Sequence, residues 1–106
     1  MKLKVGLFQP KPFNIEKNVI LPLTKNAIKK GKEDGCDLIL FPELWTIGGY
    51  HNLKNKDQSW LDQYSYSVDS EFIKSISAFS KEKNIATAIS FLQKSGDNFK
   101  NSSTLI

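Results

Sequence analysis

The stretch Asp37-Leu38-Ile39-Leu40-Phe41-Pro42-Glu43 decides how the rest of this sequence is read. Its first five residues are nearly unbroken in hydrophobicity, the pattern of a strand buried on both faces of a parallel sheet. Pro42 has no N–H to give to a ladder, so the strand ends there, and it drives Phe41 into extended backbone. Glu43 is thereby carried just past the carboxyl end of a central strand, where open α/β sheets bind their ligands. A carboxylate at that place, over an apolar floor of Leu40 and Phe41, is a candidate general base. An acidic residue after a strand can equally be a solvated loop residue or a helix cap, and position alone does not separate these readings.

Upstream, Lys2 to Gln9 alternates, with Leu3, Val5 and Leu7 on one face and Gly6 and Phe8 on the other. This predicts a first strand, closed by Pro10-Lys11-Pro12. Asn14 is a good helix N-cap. Ile15, Val19, Leu23 and Ala27 then recur every fourth residue, joined by Ile20 and Ile28, which predicts a helix with one broad apolar stripe. Pro22 conflicts with it, since an interior proline costs a helix ~3 kcal/mol; the helix kinks there or starts near it. Gly31 weakens the helix end and Gly35 is a natural C-cap. Strand, helix and strand with short joints make a βαβ unit with a right-handed crossover.

Downstream, residues 44 to 66 have no clear period and read as a long connection, the wall of any pocket beside Glu43. Trp45, Trp60, Tyr64 and Tyr66 read mainly as packing of that connection, and His51 as a surface residue. Ser67 to Ser70 offer N-caps for an amphipathic helix marked by Phe72, Ile73, Ile76 and Phe79 and reaching about Lys83. Ile85 to Leu92 is a third strand: Ile85, Thr87, Ile89 and Phe91 face one way, and Ala86, Ala88 and Ser90 the other, leaving a smooth surface. Ser95-Gly96-Asp97-Asn98 is a turn, and a fourth, antiparallel strand starts at Phe99.

A chain of 106 residues is at most one domain with a modest core. The net charge of +4 comes entirely from lysine. Arginine, the residue that reads phosphate and guanine bidentately, is absent, and the lysines interleave with acids as on solvated faces; nucleic acid is not an expected partner. No apolar run nears the ~20 residues that span a bilayer, and Met-Lys-Leu-Lys-Val leads straight into a strand pattern rather than a signal peptide. No membrane association is expected, and the location expected is cytoplasmic. A single cysteine, Cys36, makes no internal disulfide, and one cysteine with one histidine gives no zinc set, so no metal site is expected.

Gly35-Cys36-Asp37, the strand after it, and Phe41-Pro42-Glu43 together resemble the signature of the nitrilase superfamily, the carbon–nitrogen hydrolases. Gln9 at the end of the first strand, Asn18 early in the first helix, Gly49-Tyr50, and a Gly-Asp-Asn turn before Phe99 and Asn101-Ser102 agree in order and spacing. The resemblance spans nearly all of the chain. It implies the N-terminal part of a nitrilase-like αββα sandwich, in the order β-α-β-α-β-β, with residues 1–106 a portion of one carbon–nitrogen hydrolase domain. It also implies a Glu-Lys-Cys mechanism on a small amide, N-carbamoyl compound or nitrile, without cofactor. Only the glutamate carries over, onto Glu43, as general base; Tyr50 is implied to lie at the substrate. Lys94 and Lys100, in or beside the turn, do not match the family lysine. Cys36 precedes the strand, where the family often has alanine, and reads as a small buried residue. The chain alone is therefore expected to be inactive.

Thr104-Leu105-Ile106 is apolar and lies inside the last expected strand. Two right-handed crossovers would put both helices on one face of the sheet and leave the other bare. The expectation is an incomplete domain, finished by further chain or by association, a homo-oligomer included. Two other classes compete. One is a non-catalytic truncated product or interaction module that completes its sheet on a partner. The other is a small doubly wound nucleotide-binding or signalling domain, which would need a glycine-rich loop after the first strand; Gln9-Pro10-Lys11-Pro12-Phe13 has no glycine.

Overall fold

The short strand β2 (Leu38–Leu40) sits between β1 (Val5–Leu7) and β3 (Ala86–Ser95), parallel to both. The computed structural model describes residues 2–10 and 17–106, leaving aside the side chains of Lys17 and Tyr50. β4 (Asn98–Leu105) closes a hairpin against β3, giving the order β1-β2-β3-β4 with only the last pair antiparallel. The expected N-cap Asn14 and stripe residue Ile15 lie outside the described residues.

Two helices, α1 (Lys17–Glu33) and α3 (Glu71–Lys83), cover one face. Ile39, Ile85 and Ile89 of the sheet meet Ile20, Ala27 and Ile28 of α1 and Ile76 of α3 there. The stripe of α1 is rotated from its sequence reading. Val19 and Leu23 are exposed, while Thr24 is fully buried. Thr24 can be buried because its hydroxyl donates to the Ile20 carbonyl and accepts from an indole N–H, so no polar atom is stranded. Pro22 lies inside α1, which runs through it. Gly31 is no flaw at the helix end: a Cβ there would stand 3.2 Å from Ile39 Cδ1, so its absence lets α1 press on the sheet. Gly35 caps the helix in left-handed backbone (φ 80), with Cys36 N–H returning to the Gly31 carbonyl at 2.9 Å. Cys36 is buried as expected, against Gly6.

The region 44–66 has more structure than its sequence pattern suggests. It contains two 3-10 turns, Trp45–Ile47 and Tyr50–Asn52, and a helix, α2 (Gln58–Tyr64), capped by the Asp57 carboxylate on Trp60 N–H. The order is therefore β-α-β-α-α-β-β. α2 escaped a periodicity reading because it is seven residues long and none of them is fully buried. Beyond the end of β2, Tyr66 takes the vacated place beside β3, its N–H on the Leu92 carbonyl and its carbonyl accepting from Lys94 N–H.

The second face of the sheet is divided. Near the β3–β4 hairpin, Leu44 and Ile47 lie on Leu92, with Trp60, Leu61 and Phe99 around them. The rest is open. Leu7, Leu40, Ala88 and Leu105 form one row in register across all four strands. Leu3, Val5, Leu7 and Leu105 are exposed, Leu7 at 63% and Leu105 at 71%.

Candidate active site

Two hydrogen bonds to β3 bracket the turn that carries Glu43. Phe41 N–H donates to the Ala88 carbonyl at 3.0 Å, and Leu44 N–H donates to Ser90 Oγ at 2.8 Å. Between these anchors Glu43 stands exposed, past the carboxyl end of β2. Its carboxylate has no hydrogen bond or ion pair among the described residues. The apolar floor expected beneath it is split: Phe41 is buried on the helical face, while Leu40 is half-buried on the other.

The residue after it adopts a conformation that side chains resist. Leu44 is left-handed, at φ 50 and ψ 43, a region that costs a residue with a Cβ about 1–2 kcal/mol. Three interactions hold it there. Its N–H is taken by Ser90, its carbonyl accepts from Ile47 and Gly49 N–H at 3.1 and 3.0 Å, and its side chain is fully buried against Ile47 and Leu92. One residue further, Trp45 goes to the opposite side. Its indole N–H donates to Thr24 Oγ1 at 2.7 Å, and its ring meets Phe8 edge-on with centroids 5.1 Å apart. The chain thus crosses the end of the sheet at residues 43–45, with Glu43 left at the crest.

Gly48 and Gly49, at φ 76 and 111, then turn the backbone into the 3-10 turn that begins with Tyr50. Asn52 Nδ2 secures this turn on the Ile47 carbonyl at 2.8 Å. Ser90 is the joint between site and hairpin, since its hydroxyl also donates to Asn101 Oδ1 at 3.4 Å.

The lysines of the hairpin do not meet Glu43 in any hydrogen bond or ion pair among the described residues. Lys94 pairs with Asp62 at 2.7 Å, and this bond holds the Asp62 carboxyl below its ordinary range. Lys100, Lys56 and Asn101 join Leu44, Leu92 and Phe99 in the lining of a cavity of about 280 Å³, whose wall does not include Glu43. His51 is exposed. Among the described residues no group of three His, Cys, Asp or Glu side chains could hold a metal ion.

The family described as carbon-nitrogen hydrolase matches residues 4–106. The chain belongs to that family, within the nitrilase superfamily. A search of curated proteins finds no match. Solved structures agree on the fold. An amidase from Nesterenkonia sp. superposes with a TM-score of 0.64 at 18% identity, covering 97% of this chain and 37% of that one. A glutamate-to-glutamine mutant of the Nesterenkonia sp. AN1 amidase, with acrylamide added to its active-site cysteine, gives 0.66 at 17% identity over 98% and 39%. A cysteine-to-alanine mutant of the AN1 amidase, described as from the nitrilase superfamily, gives 0.66 at 18% over 98% and 38%. The chain thus spans less than two fifths of the length of these structures. Its sheet and helices correspond to the N-terminal part of a nitrilase fold.

Sequence reading placed Glu43 but missed what holds it. In the sequence Ser90 is one of the small residues on a smooth strand face, and Thr24 lies between hydrophobic positions with nothing to mark it. The available signal was a hydroxyl residue inside an apolar pattern, which must find a partner wherever it is buried.

Proposed function

We propose that this chain is the part of a carbon–nitrogen hydrolase that supplies the general base, Glu43, for attack on a small amide, N-carbamoyl compound or nitrile. The observation that carries this reading is the exposed carboxylate standing past the carboxyl end of β2, on a turn anchored to β3 from both sides. A cysteine nucleophile needs such a group, because a free thiol of pKa ~8.5 is mostly protonated at neutral pH. The carboxylate accepts the thiol proton as sulfur attacks the carbon, returns that proton to the substrate nitrogen, and then takes one from the water that hydrolyses the thioester and frees the thiol. The tetrahedral oxyanion needs a cationic or N–H donor, the role of the lysine in the Glu-Lys-Cys set implied by family resemblance. Tyr50, which begins the second 3-10 turn, is kept as the substrate-side residue that the family resemblance implies.

Of that set this chain offers only the base: Cys36 is buried under β1 and Lys94 is paired with Asp62. It is therefore inactive by itself and works with the lysine and cysteine of a complete domain. No metal or organic cofactor enters this scheme. The purified 106-residue chain should hydrolyse no simple aliphatic amide, and turnover abolished by Glu43→Gln would overturn the inactivity. The reading frame after the Ile106 codon should encode a lysine and then a cysteine. A stop codon with neither residue would favour the second reading, an interaction module that completes its sheet on a partner. The observation behind that alternative is the apolar row Leu7, Leu40, Ala88 and Leu105, exposed at its two ends.

A further inference from the structure

We propose that Ser90 is a positioning residue for Glu43, acting through the backbone of Leu44; the proposal rests on the reading of Glu43 as the base. Ser90 lies on β3, and its Oγ receives the Leu44 N–H at 2.8 Å. Its own proton goes to Asn101 Oδ1 at 3.4 Å. The hydroxyl is thereby committed on both sides and 6% exposed, so it fixes the turn rather than touching substrate. The amide it holds belongs to a left-handed residue that carries a side chain, a state that persists only where its surroundings over-determine it. Phe41 N–H on Ala88 ties down the near side of the same turn. Without the far anchor, Leu44 can relax toward right-handed or extended backbone. The Glu43 carboxylate would then swing away from the crest of the sheet, because the Cα–Cβ direction of residue 43 follows the dihedrals on either side. The link to Asn101 also joins the turn to β4, so the base is referenced to the outer strand as well as to β3.

Threonine and valine separate the hydroxyl from the shape it occupies, since they have nearly the same shape and only threonine keeps the oxygen. In the 106-residue chain, amide hydrogen exchange at Leu44 is read for Ser90→Thr and Ser90→Val. The valine variant should exchange at least 10-fold faster at Leu44 while the Ile39 and Ile89 amides keep their protection, and the threonine variant should match the parent. Equal Leu44 exchange in the two variants overturns the anchor. In the amide-hydrolysing protein that carries this chain, Ser90→Val should lower kcat 10-fold or more with KM within 2-fold, and Ser90→Thr should restore kcat. An unchanged kcat beside faster Leu44 exchange overturns the positioning role. Glu43→Gln is the control for the underlying reading: full kcat in that variant removes Glu43 as the base, whatever the Leu44 amide does.

Discussion

Tyr66 illustrates how single residues answer to their surroundings. Its ring stacks on Phe72 with centroids 4.4 Å apart, and its backbone bridges to β3. Burial, with a smaller contribution from Tyr64, raises its phenol above the ordinary value of 10.0. A folded-state pKa above the unfolded one gives stability that is complete below the unfolded pKa and is lost as pH rises through the folded one. The midpoint of denaturant unfolding should therefore fall as pH climbs past 10, and less steeply in Tyr66→Phe; parallel curves for the two proteins would refute the assignment. Thr24 and Trp45 behave as a pair at the same scale. Thr24→Val removes the acceptor of a buried indole N–H, which should cost about 1–3 kcal/mol, measured by equilibrium unfolding. Neither partnership could be read in the sequence, where the two residues are 21 positions apart.

Among the elements, the helices and strands were legible where a period was long enough to register, and their ends where a residue has special backbone chemistry. Ser70 caps α3 through its hydroxyl, and Asn84 ends it in left-handed backbone at φ 55, its N–H on the Lys81 and Ser80 carbonyls. Asn84→Ala should lower stability by about 1 kcal/mol, because alanine has no compensation for that conformation, and Asn84→Gly should hold or raise it; thermal melts of the two variants test the pair. What failed at this scale is equally specific. The α1 stripe turned because Trp45, arriving from a distant part of the chain, needed a hydroxyl at Thr24 more than contact with Val19 or Leu23. α2 went unseen because it caps one side of a hairpin and is not wedged into the core. Gly31 reads as a defect in the sequence because a glycine's worth at a helix–sheet contact depends on what faces it, here Ile39 and Ile85.

At the scale of the molecule, one layer of helices on one face of a mixed sheet leaves apolar surface uncovered. Apolar burial is worth roughly 25 cal/mol per Å², so a row that reaches from Leu7 to Leu105 is a strong site for association. The isolated chain should show concentration-dependent self-association in sedimentation experiments. Leu7→Lys together with Leu105→Lys should suppress it without lowering the unfolding midpoint, since both side chains are already exposed. A monomer at all concentrations would sink that expectation. The described residues contain no helix long and apolar enough to cross a membrane.

The sequence by itself determined the α/β order of strands and main helices, the family, and the place of Glu43. These depend on short-range facts: an apolar run of strand length, a proline that ends it, and caps and turns with strict backbone demands. The tertiary structure alone decided what surrounds that carboxylate. The left-handed Leu44, its amide on Ser90, the indole of Trp45 on Thr24 and the link from Ser90 to Asn101 each join residues from separate elements. Such pairings are chosen by which side chains the packed sheet brings within reach, a quantity that no local pattern encodes.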